Sequence, residues 1–102
     1  TKYIINCFLA SKVSFFNDIY KLCKATNINY EKVCELVQTD ERIGSSHMQV
    51  PGPDGQMGFG GMCFPKDTKA LVHTGIHFRS PMTLLNEIVA LNDIIRDDNE
   101  PL

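Results

Sequence analysis

Apolar side chains recur at helical spacing from the first residues of the chain. Ile4, Phe8, Phe15, Ile19 and Leu22 fall on one face, with Ile5, Phe16 and Cys23 on the neighbouring arc, and this predicts one long helix over residues 1–26. Its apolar arc is wider than the ~100° stripe of a helix packed on one side, so it needs cover from more than one direction. So short a chain leaves part of that arc for a partner surface. Asn27-Ile28-Asn29 reads as a turn, and Asn29 as the N-cap of a helix over 30–38 with Val33, Leu36 and Val37 on its apolar face. Asp40 to Gly44 reads as one more turn, stopped by Gly44. Gly44, Pro51, Gly52, Pro53, Gly55, Gly58, Gly60 and Gly61 then forbid regular structure and predict a long loop, anchored by Met48, Val50, Met57 and Phe59. Pro65 opens a helix expected to run to about His73 and to end at Gly75. Ser80-Pro81 signals a last helix carrying Met82, Leu85, Ile88, Val89, Leu91, Asn92 and Ile95 to about Asp97, with a polar tail beyond. No stretch alternates as a strand does. The expected class is all-α: about four helices, the first long, and one glycine- and proline-rich loop.

Composition adds exclusions. The 102 residues are 43% hydrophobic and 22% charged with a net charge of −2, ordinary for a soluble globular domain. There is no basic excess for nucleic acid, and no polybasic patch or apolar run of ~20 residues for a membrane. The first residues lack the pattern of a signal peptide. Cys7, Cys23, Cys34 and Cys63 form no CxxC pair, which favours reduced thiols and a cytoplasmic setting over a disulfide framework. The chain starts at Thr1 without an initiator Met and is expected to be a segment of a longer protein.

The chemistry concentrates in Gly58-Phe59-Gly60-Gly61-Met62-Cys63-Phe64-Pro65-Lys66-Asp67. This run sets a thiol at the mouth of a helix, where free backbone N–H groups favour a thiolate. Asp67 follows one turn later, on the Cys63 face if the helix extends that far back, and a carboxylate there can orient a water or exchange a proton. Its charge opposes thiolate formation, and Lys66 offsets it. The glycines let the loop approach a ligand closely. The competing reading of Cys63 is a small buried core thiol. Lys2 and Asn6 share a face of the first helix, either as a solvated polar edge or as two donors aimed at an oxyanion. A metal site built from Cys63 with His47, His73 or His77 lacks a dense ligand cluster, and Gly75 interrupts the His73–His77 pair, so no metal is expected.

These residues resemble a known family. The run GFGGMCFPKDTKAL is similar to the active-site signature of the UDP-glucose and GDP-mannose dehydrogenase family. Lys2-Tyr3-Ile4-Ile5-Asn6, Phe8-Leu9-Ala10 through Phe15-Phe16-Asn17, and Asp40-Glu41-Arg42-Ile43-Gly44 agree with it in the same order. The resemblance covers nearly the whole chain. It implies that residues 1–102 are the helical central domain, which pairs as a homodimer. In the family that domain lies between an NAD-binding Rossmann domain and a C-terminal nucleotide-sugar domain, neither of which is expected in this chain.

The resemblance also implies roles. Cys63 matches the nucleophile of an NAD-dependent oxidation of a primary alcohol to a carboxylate through a thiohemiacetal and a thioester. Lys2 matches a lysine at the reacting oxygen, Asn6 its companion, and Asp67 an aspartate of proton transfer and water activation. Lys66 and Cys63 adjoin the cofactor side. Arg42 matches an arginine that reaches the partner subunit's substrate. Gln49 lies in the sugar-nucleotide loop, and Gly58, Phe59, Gly60 and Gly61 form its substrate-binding end. That loop is longer than in many members, and Met62 stands where a smaller residue is common. The context looks most like the UDP-glucose branch, with NAD as cofactor and a UDP-sugar as substrate. A GDP-mannose or N-acetylated UDP-sugar specificity stays open, as does a helical dimerisation module without activity of its own.

Overall fold

The computed structural model describes residues 1–97 and folds them into four α-helices, α1 (Lys2–Thr26), α2 (Tyr30–Val37), α3 (Phe64–His77) and α4 (Thr83–Asp97). There is no strand among the described residues, and the polar tail expected after α4 lies outside them. The helix ends follow local chemistry. Asn27 closes α1 at φ 60°, its N–H bonded to the Cys23 and Lys24 carbonyls, a left-handed conformation that asparagine tolerates better than most residues. Asn29 caps α2, its side chain accepting from Lys32 N–H at 3.2 Å. The extra turn at 40–43 forms, with Ile43 N–H donating to Asp40 O at 3.0 Å.

α1 is the spine, packed against α3, α4 and α2. Two small cores form along it. Toward its N-terminus Cys7 meets Val72 of α3 and Leu85 of α4, with Leu71 and Val89 beside them. Toward its C-terminus Cys23 meets Tyr30 of α2 and Val50 of the loop, with Ile19, Tyr20, Val33 and Met57 around them. The loop is ordered by the anchors its sequence offers: Met48, Val50 and Phe59 are buried, and the Tyr30 hydroxyl donates to the Met48 carbonyl. The buried stripe of α1 is Cys7, Ala10, Phe16, Asn17 and Cys23. Ile4, Phe8, Phe15 and Leu22, which the periodicity picks out first, are more than half exposed.

Two boundaries differ from the sequence expectation. Gly75 does not stop α3, which continues to His77, so His73 and His77 share one helix. Among the described residues no group of three or more His, Cys, Asp or Glu side chains is arranged to hold a metal ion. Gly75 is buried where the chain turns back: its carbonyl accepts from Ser80 N–H at 2.8 Å, and an added Cβ would lie 2.7 Å from Ser80 O and 2.8 Å from Met82 Cγ. The glycine therefore serves close approach, and Arg79, at φ 57°, takes the left-handed turn. α4 begins at Thr83 rather than at Ser80-Pro81: Ser80 N–H closes the turn onto Gly75 O, and Met82 supplies the first helical acceptor, to Asn86 N–H at 2.8 Å.

Gly75→Ala tests this account. Helix propensity alone predicts a gain of up to about 1 kcal/mol, whereas overpacking costs about 1–3 kcal/mol. We expect a net loss of stability and a lower urea midpoint in equilibrium unfolding. A raised midpoint would contradict the close approach.

Candidate active site

The N-terminal turns of α1 and α3 lie side by side and bring several of the singled-out residues together. Asp67, in the first turn of α3, is fully buried. Its Oδ2 accepts from Asn6 Nδ2 of α1 at 2.7 Å. Its Oδ1 has no hydrogen-bond partner, although the Lys66 ammonium stands 3.5 Å away as an ion pair. The two observations agree once charge is separated from geometry: Lys66 supplies opposite charge, while its exposed ammonium does not complete a hydrogen bond. Charge proximity without a directed bond leaves one oxygen of the buried carboxylate without a hydrogen-bond partner. The Cys7 thiol donates to the Asp67 carbonyl at 3.4 Å. Burial, and to a lesser degree the Asp67 charge, push that thiol above its ordinary range.

Cys63 is the residue before α3, in helical conformation, and is exposed. Its carbonyl accepts from Asp67 N–H at 2.8 Å, so the helical turn does reach back to the cysteine. Its exposure excludes the reading of Cys63 as a buried core thiol. Lys2 is exposed on the first turn of α1, one turn before Asn6, and makes no side-chain bond to the cluster among those observed. Arg42 is elsewhere. Its guanidinium is held by Asp40 at 2.7 and 3.0 Å, which keeps the Asp40 carboxyl below its usual range.

Two cavities divide the remaining candidates. One, of about 370 Å³, is lined by Gln49, Gly58, Phe59, Gly60 and Gly61 together with His47, Asp54, Phe64 and Arg96. It abuts the thiol-bearing turn through Gly61 and Phe64, which flank Met62 and Cys63 in the chain. The larger, about 590 Å³, is an apolar groove between α1 and α4 with Phe8, Phe15, Phe16, Leu84, Ile88 and Leu91 on its walls and Arg42 at its rim. The larger cavity contains none of the thiol chemistry. The smaller is walled by the glycine loop and lies next to Cys63 through Gly61 and Phe64, so it is the candidate substrate pocket despite its size.

The sequence reading missed the residues that build this pocket's wall. Asn17 Oδ1 accepts from Gly58 N–H at 2.8 Å, and Asn92 and Arg96 bind the same stretch. Asn92 stood among the apolar positions of α4, and its signal was the presence of a carboxamide on a buried helical face.

The site thus combines an exposed thiol at a helix start, a buried carboxylate one turn on and a glycine-lined cavity in an all-α segment. Residues 1–94 match the model of the UDP-glucose/GDP-mannose dehydrogenase family, central domain, and the chain belongs to that family. It is 44% identical over 90% of its length to the UDP-glucose 6-dehydrogenase of Rhizobium meliloti (strain 1021), covering 20% of that protein. It is 38% identical over 90% of its length to UDP-glucose 6-dehydrogenase TuaD of Bacillus subtilis (strain 168), covering 19% of it. It is likewise 38% identical over 90% of its length to UDP-glucose 6-dehydrogenase AglM of Haloferax volcanii, covering 20%. The chain thus spans about a fifth of the length of the curated relatives it matches. No described helix is long and apolar enough to cross a membrane.

The thiols should differ in reactivity. Cys7 and Cys23 are buried and Cys34 half-buried, while Cys63 is exposed. Limited iodoacetamide labelling at neutral pH, read peptide by peptide in a mass spectrometer, should modify Cys63 at least about tenfold faster than any other cysteine. Faster labelling of Cys7, Cys23 or Cys34 would contradict this. Asn6→Ala should lower folding stability by about 1–3 kcal/mol, because it strips the donor from a buried carboxylate; denaturant titration measures it, and an unchanged midpoint would show that Asp67 is satisfied without Asn6.

Proposed function

We propose that this segment supplies the catalytic thiol of an NAD-dependent dehydrogenase that oxidises UDP-glucose to UDP-glucuronate. The observation that carries the reading is the coupling of Asn6 to the buried Asp67, one helical turn after the exposed Cys63, in a chain whose relatives bear the name UDP-glucose 6-dehydrogenase. Lys2 and Asn6, one turn apart on α1, act as donors toward the alkoxide-like charge that develops on the sugar oxygen. The Cys63 thiolate adds to the aldehyde carbon formed by the first oxidation, giving a thiohemiacetal whose oxygen takes the proton. The second oxidation leaves a thioester, and water cleaves the C–S bond to release the carboxylate and return the thiol. Asp67, with one carboxylate oxygen free of hydrogen bonds, holds that water or accepts its proton.

NAD, when bound, accepts the hydride removed in each oxidation. The described residues contain no strand and no strand–glycine–helix turn of the kind that cradles a dinucleotide. Its binding is therefore assigned to a Rossmann domain outside these residues, with Cys63 and Lys66 the groups that meet it from this side. Residues 1–102 are read as the central domain, followed by a nucleotide-sugar domain. Gln49 and Gly58–Gly61 take the sugar nucleotide, and the enzyme works in the cytoplasm.

The same segment is the dimerisation element. Phe8, Phe15, Leu84 and Ile94 are more than half exposed, and a closed two-fold pairing across α1 buries that surface on both copies at once. Arg42, at the rim of the groove, then reaches toward the partner's substrate.

In the longer enzyme carrying this segment, Cys63→Ser should abolish NADH formation from UDP-glucose, while retained turnover would remove the thiol mechanism. The 102-residue chain alone should form no NADH under the same conditions. Sedimentation equilibrium at micromolar concentration should give a dimer, shifted toward monomer by Phe15→Glu; a clean wild-type monomer would contradict the pairing.

A further inference from the structure

Asn92 and Arg96 stand one turn apart on α4 and direct their hydrogen bonds to one segment of the loop. Asn92 Oδ1 accepts from Phe59 N–H at 2.8 Å, and Asn92 Nδ2 donates to Phe59 O at 2.9 Å. Arg96 Nε donates to Met57 O at 2.9 Å, and Arg96 Nη1 donates to Asp54 Oδ2 at 2.8 Å. With Asn17 on Gly58, three consecutive residues without a backbone ladder are held by side chains from two helices. A buried carboxamide can be satisfied by any donor and acceptor. Here both edges of one amide meet both polar groups of one residue, which sets the position and the rotation of that residue together. The clearance is small. A Cβ on Gly58 would overlap Asn92 Oδ1, and one on Gly60 would overlap Arg96 Nη1. The Asn92 side chain is buried and the Arg96 side chain is 11% exposed. Arg96, Asp54, Gly58, Phe59 and Gly60 all line the 370 Å³ cavity.

We infer that Asn92 and Arg96 are positioning residues for the sugar nucleotide: they latch the Asp54–Gly60 strip in place as the wall of its pocket. This rests on the function proposed above. The ion pair with Arg96 holds the Asp54 carboxyl below its usual range, so the outer end of the latch is charged at neutral pH. Neither residue touches Cys63, so the latch acts on binding of the substrate and leaves the thiol chemistry alone.

The test has two arms. In the 102-residue chain, amide hydrogen exchange is followed in wild type and in Asn92→Ala, which loses both the acceptor of Phe59 N–H and the donor to Phe59 O. Exchange at Gly58 and Phe59 should accelerate about tenfold or more, with Val72 and Leu85 unchanged. Unaltered exchange at Gly58 and Phe59 would overturn the latch. In the longer enzyme, Asn92→Ala and Arg96→Gln should raise KM for UDP-glucose about tenfold with kcat within about threefold, and Arg96→Lys should recover part of the loss. A purely structural role would lower the folded fraction and hence kcat while leaving KM unchanged, and that pattern would overturn the inference. Absence of wild-type turnover would overturn the proposed function and with it the substrate role; the exchange arm would still decide whether the latch exists.

Discussion

A buried carboxylate is costly unless its charge is answered, and the arrangement around Asp67 is the interaction on which the rest of the structure depends. Its side chain is withdrawn from water, so α1 must bring Asn6 to within 2.7 Å of it and α3 must place Lys66 beside it. That requirement sets how the start of α1 lies against the start of α3. Cys7, next along α1, is then drawn against the Asp67 backbone and packs with Val72 and Leu85. Cys63, one turn before Asp67, is left at the surface. A buried thiol and an exposed one thus stand on either side of this contact.

The loop obeys a different constraint. Its glycines and prolines exclude a hydrogen-bonded ladder, so its backbone groups must be satisfied by side chains. Asn17, Asn92 and Arg96 do this from α1 and α4, and the Tyr30 hydroxyl does it from α2. The apolar anchors Met48, Val50 and Phe59 supply burial, and the polar clasps supply position. A loop held in this way can form the wall of a pocket.

The surface left over carries information as well. α1 packs on several sides, yet Ile4, Phe8, Phe15 and Leu22 remain exposed. The groove between α1 and α4 is almost wholly apolar and has Arg42 at its edge. The segment therefore presents two faces, one bearing the thiol and the glycine-walled cavity, the other a largely apolar groove.

Helix identity, the Asn29 cap, the ordered loop and the residues of the signature were legible in the sequence, because each depends on neighbours within a turn or two. Periodicity marks a helix, Asn29 needs only the amide of Lys32, and a thiol before Pro65 stands at a helix start in almost any fold. Distance in the chain is what hid the rest. Asn6 and Asp67 are 61 residues apart, and Asn92 and Phe59 are 33 apart. Gly75 read as a helix stop because glycine serves both chain reversal and close packing, and only the nearness of Ser80 and Met82 distinguishes the two. The wide apolar arc of α1 was visible, but which half of it turns inward was decided by α3 and α4, whose side chains chose Cys7 and Ala10 over Ile4 and Phe8. Local rules thus determined which elements form and where the exposed thiol stands. Tertiary packing alone decided which polar groups meet, because only it brings distant donors and acceptors within hydrogen-bonding reach.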